Sequence, residues 1–170
     1  MDKRAEGLSR LAKAAAPTLF GLFAVLLLAA PLRFAYGFVP TPILPLVIVY
    51  FWTLYGPSYM PAPSVFAIGL LQDFLTGGPL GLWAAVYLGV QYIVLSQRSY
   101  FIGRELSVVW VGFAFAAAGA SLILWLVMSL MSGELLPLWG LMFQMFITVA
   151  AYPVFSIAFS HLHRRVIVEM

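Results

Sequence analysis

The chain has 170 residues, of which 64% are hydrophobic and 9% charged, with a net charge of +3. That balance excludes a water-soluble domain, and the lack of any cysteine excludes disulfides, thiolate metal sites and cysteine nucleophiles. The basic residues flank apolar runs and form no single patch, so nucleic acid is not the expected partner.

Apolar runs separated by short polar breaks predict an all-α polytopic membrane protein, a single integral domain over residues 1–170. Residues 1–13 are a basic N-terminus carrying Lys3, Arg4, Arg10 and Lys13. A first span follows over about Ala16–Leu32. Pro31 after Ala29 and Ala30, with hydrophobicity continuing beyond, marks it as a retained helix and not a cleaved leader. Pro40, Pro42 and Pro45 then forbid a continuous helix.

Two short segments come next, about Ile43–Tyr55 and Pro63–Thr76, separated by Gly56, Pro57, Pro61 and Pro63. A helix of roughly 14 residues reaches about 21 Å, against about 30 Å of hydrocarbon. They therefore cross with help from their flanks, or form a re-entrant pair shielded by the other helices. A fourth segment runs over about Pro79–Ser96. The fifth, Val108–Met131, is the longest and carries the small-residue stripe Gly112, Ala116 and Ala120. The sixth, about Leu136–Phe159, holds Gln144 and a kinking Pro153. Residues 160–170 form a basic tail with His161, His163, Arg164 and Arg165.

With the N-terminus in the cytoplasm, six crossings put Lys3, Arg4, Arg10, Lys13, Arg98, Arg104, Arg164 and Arg165 on that side. Only Arg33 then falls on the other. This positive-inside asymmetry predicts both termini cytoplasmic.

The chain's chemistry concentrates at the third and fourth segments. Asp73 is the only acid inside an apolar run, and an intramembrane ionisable group is a functional-site hypothesis by default. Gly69, Asp73 and Gly77 share one helical face, and after a Gly77-Gly78-Pro79 turn Gly81, Ala85 and Gly89 form a small-residue stripe. Pro79 suits a first helical position, which would bring the N–H groups of Leu80, Gly81 and Leu82 within reach of the Asp73 carboxylate. The expected site is a helical hairpin of Asp73, Gly77, Gly78, Pro79, Leu80 and Gly81 clasped by that acid, with Arg33 as ion-pair partner. Glu134 competes for Arg33.

Enzymatic signatures are lacking: no HExxH, GxSxG, GxGxxG or GxxxxGK[ST] occurs, and one buried acid is no carboxylate pair. His161 and His163, at i and i+2, do not share a helical face. Gln91 and Gln144 line a polar cavity or bond across helices, and the second reading is favoured. No catalytic residue, metal site or cofactor is expected.

The run GLLQDFLTGGPLGLWAAVYL, Gly69–Leu88, resembles the central signature of the MreD family of bacterial rod shape-determining membrane proteins. Asp73, Gly78, Leu80, Gly81 and Ala84 match its acid, turn glycine, Leu-Gly pair and following small residue in order and spacing. The resemblance extends to length, number of apolar segments and basic ends. It implies a non-enzymatic scaffold of the cell-wall elongation machinery in the bacterial cytoplasmic (inner) membrane. The implied partners are the single-span MreC and, through it, MreB, RodA and the elongation transpeptidase. It also implies a six-helix bundle similar to the substrate-binding subunits of energy-coupling-factor vitamin transporters, which supplies the alternative reading of a small-molecule uptake subunit. Gly112, Ala116 and Ala120 are the candidate face for a partner's span.

Overall fold

The computed structural model describes residues 18–26 and 42–167, with side chains through residue 158. The described residues are all helical apart from turns, with no strand among them. Residues 18–26 belong to α1. Then follow α2 (Leu44–Tyr55), a 3-10 turn at Pro57–Tyr59, α3 (Ala62–Thr76), α4 (Leu82–Phe101), α5 (Leu106–Ser132) and α6 (Leu138–Ile167).

The sequence explains which helix sits in the middle. The α2 run LPLVIVYFWTLY is apolar on every side, and a helix of that kind has no face to give to solvent. Every residue from Pro45 to Leu54 is buried. Around it, Tyr50, Phe113 and Tyr152 bring α2, α5 and α6 together. Tyr50 meets Phe113 edge-on at 5.1 Å, and Phe113 stacks on Tyr152 at 4.4 Å.

Polar side chains fix the order of the ends. Arg98 Nε of α4 donates to the Leu54 carbonyl at 2.9 Å, satisfying an orphan carbonyl in the last turn of α2. Gln91 Nε2 donates to the Met60 carbonyl at 2.7 Å, tying α4 to the loop before α3. The sequence suggested a bond between helices for Gln91, and the bond instead reaches a loop carbonyl. Trp110 and Trp125 of α5 donate to the carbonyls of Val149 and Leu136, which sets α5 and α6 antiparallel.

Two helices, α5 and residues Leu138–Ala158 of α6, are long and apolar enough to cross a membrane. Both turn large apolar side chains outward, among them Phe115, Leu122, Leu130, Trp139, Phe146 and Val154. The helices α2 and α3, of 12 and 15 residues, are shorter, as expected.

Three boundaries differ from expectation: the last helix runs on to Ile167, through residues expected to form the tail, and the fourth is displaced at both ends. The fourth helix begins at Leu82, not Pro79, because Gly81 stands at φ 91°, a left-handed conformation that a right-handed helix cannot contain. Pro79 therefore belongs to the turn. The same helix runs on to Phe101, taking in Gln97 and Arg98. The basic N-terminus, Arg33 and Pro40 lie outside the described residues, as do the side chains of His161, His163, Arg164 and Arg165.

Candidate functional site

The turn between α3 and α4 is built from both sides of one residue. Gly77, at φ 67°, ends α3, and its N–H donates to the backbone carbonyl of Asp73 at 3.1 Å. The Asp73 side chain then turns to α4. Its Oδ2 accepts from the Gly81 N–H at 2.8 Å and its Oδ1 from the Trp83 N–H at 2.8 Å. A longer bond of 3.5 Å comes from Ala84 N–H.

These three donors belong to the N-cap residue and the second and third positions of α4, which are the orphan amides of a helix start. An N-cap side chain normally accepts from the last two of them. Gly81 has no side chain to do so, and Asp73 supplies the oxygen from the neighbouring helix. The positive end of the α4 dipole favours the same carboxylate. Asp73 is 1% exposed and its donors Gly81 and Trp83 are half-buried.

Close approach of the two helices makes this reach possible. A methyl group placed on Gly69 would lie 2.6 Å from the Ala84 backbone nitrogen. Only glycine leaves room for α4 at that level. One residue before the acid, Gln72 Oε1 accepts a short hydrogen bond from the Tyr87 hydroxyl, and the Thr76 hydroxyl donates to the Gln72 carbonyl at 2.8 Å. Tyr87→Phe would leave the buried Gln72 oxygen without its donor, at a cost of about 1–3 kcal/mol. A lowered melting temperature in detergent checks this.

The expected site residues distribute as follows. Asp73, Gly77 and Gly81 form the clasp. Gly78 and Pro79 sit in the turn and border a cavity of about 290 Å³ between α5, α6 and the hairpin, together with Thr76, Trp83, Ser121 and Gln144. Leu80 is 67% exposed and contributes no N–H to Asp73, while the Leu82 N–H donates instead to the Pro79 carbonyl at 3.2 Å. Arg33, the expected ion-pair partner, lies outside the described residues.

Along α5, Gly112 is covered by the Phe101 ring and the Tyr50 hydroxyl, at 2.6 and 2.8 Å from an added methyl. Ala120 is buried, and Ala116 is half-buried on the wall of a groove toward α4. Of the stripe Gly81, Ala85 and Gly89, Gly81 meets α3 through its N–H, while Ala85 and Gly89 line that same groove. Sequence reading missed Trp83 and Ala84 as donors and the pairing of Gln72 with Tyr87. The start of α4 at Leu82 would have identified the donors, but the Gln72–Tyr87 pair had no signal beyond two polar groups in apolar runs.

Chemically, the arrangement is one acid saturated by backbone donors. Among the described residues no three His, Cys, Asp or Glu side chains are grouped to hold a metal ion. No family model, curated protein or solved structure matches the chain.

Proposed function

We propose that this chain is a non-enzymatic scaffold of the bacterial cell-wall elongation machinery, crossing the cytoplasmic membrane six times with both ends in the cytoplasm. It docks a single-span partner of the MreC type through its helical bundle. The observation that supports this most is the convergence of the signature residues: Asp73 accepts from the N–H groups of Gly81 and Ala84 across the turn containing Gly78 and Leu80. Those residues make a mechanical joint, and a joint suits a docking body. Association with a partner's span in lipid rests on close packing and interhelical hydrogen bonds, since apolar burial gains nothing over lipid tails.

Capture of the tagged chain from crosslinked bacterial membranes tests the reading. A single-span MreC-type protein is expected in the eluate, reduced at least tenfold when Asp73 is replaced by Ala. The cavity bordered by Thr76, Ser121 and Gln144 favours a second reading, a small-molecule uptake subunit. A vitamin-like metabolite retained through purification, with no such protein captured, would establish that reading instead.

A further inference from the structure

Between α4 and α5 lies a half-enclosed groove of about 630 Å³, within the size range of ligand sites, floored by Tyr50. Val86, Gly89 and Ile93 form one wall, and Ala116, Gly119 and Ile123 the other. Gln97 is its only side chain carrying an amide. At Phe101, Gly112 and Phe115 it continues into a second hollow that reaches Tyr100 and Ser107. From Ser107 to Val127 the α5 residues lining the two hollows cover a helical rise of about 30 Å, the thickness of the hydrocarbon.

The two ends of the groove differ in charge. At the Ser107 end, the Arg104 guanidinium stands 5.1 Å over the Tyr100 ring, with Glu105 as the adjacent acid, while Arg98 is engaged at the Leu54 carbonyl. At the other end the described ionisable acids are Asp73, already saturated by amides, and Glu134. Basic hollows between membrane helices on the cytoplasmic side hold anionic lipid headgroups.

We infer that this groove binds a phospholipid with an anionic headgroup, its phosphate beside Arg104 and an acyl chain between α4 and α5. The inference rests on the chain being a membrane protein, not on its scaffold role. Tyr100, which lines the second hollow, holds the Arg104 guanidinium against its ring, while the small residues Gly89, Ala116 and Gly119 leave width in the groove for a methylene chain.

Gly89 and Gly119 supply the test, because a methyl added at either meets nothing within 4 Å. Gly119→Leu therefore enters the groove with a Cβ that has room. The full chain, exchanged in detergent against phosphatidylglycerol or phosphatidylcholine, is read by native mass spectrometry. The wild type should retain phosphatidylglycerol about fivefold better, the effect of about 1 kcal/mol from one basic residue near the surface. Arg104→Gln should erase the preference while lipid is still retained, and Arg104→Lys should restore part of it. Gly119→Leu should abolish retention with a melting temperature no lower than that of the wild type.

Equal retention of both lipids by the wild type would overturn the headgroup site, and retention undiminished in Gly119→Leu would overturn the groove. Crosslinking of Gly119→Cys to a protein helix in native membranes would also overturn it, giving the groove to a partner. A chain recovered in the soluble fraction would instead sink the membrane reading beneath it.

Discussion

Replacing Asp73 by Ala is expected to lower stability by about 2–6 kcal/mol, about 1–3 kcal/mol for each of the two capping amides left without an acceptor. The amides are those of Gly81 and Trp83, each now 2.8 Å from a carboxylate oxygen. Asp73→Asn keeps one acceptor oxygen and should fall between the wild type and Ala. Denaturant titration in mixed micelles measures the cost, and proteolysis at the Gly77–Gly81 turn reports whether the hairpin has opened. An Ala variant that melts with the wild type and resists cleavage would show that the clasp contributes nothing.

Gly69→Ala is the second large effect, and its mechanism is steric. The added methyl would sit 2.6 Å from the Ala84 nitrogen, against backbone that cannot rotate away. Overpacking typically costs about 1–3 kcal/mol. Here the shift also lengthens the reach of Asp73 to the Ala84 and Trp83 amides, so the loss should lie at the upper end of that range. Gly89→Ala is the matched control. It lies on the groove side of the next helix with nothing within 4 Å, and replacing a mid-helix glycine there should be neutral or gain up to about 1 kcal/mol. Equal melting temperatures for the two variants would remove the close approach from the account.

The hairpin was legible because it violates the composition around it. An acid in an apolar run must find donors, and a Gly-Gly-Pro turn four residues later puts a helix start within reach. The identity of the donors was not legible. Pro79 and Gly81 both offer a reason for α4 to begin, and only the left-handed backbone of Gly81 decides for Leu82. The packing faces were harder still. In a chain where nearly every helix position is apolar, periodicity carries little information about which side is inward. Gly81, Ala85 and Gly89 have the same spacing as Gly69 and Asp73, yet Gly69 is the residue against a neighbouring backbone and Gly89 faces open space. Gly112 has the spacing of an outward stripe and is covered by Phe101 and Tyr50.

The enclosure of α2 bears on how such a chain is made. Twelve residues rise only about 18 Å, too little to rest alone across about 30 Å of hydrocarbon. Its Leu54 carbonyl is satisfied from Arg98, a residue synthesised 44 positions later. During biogenesis, α2 leaves the ribosome before the helix that completes it exists. An insertase or the growing bundle must shelter it for that interval, and slowing translation between Leu54 and Arg98 should expose the nascent chain to membrane quality-control proteases.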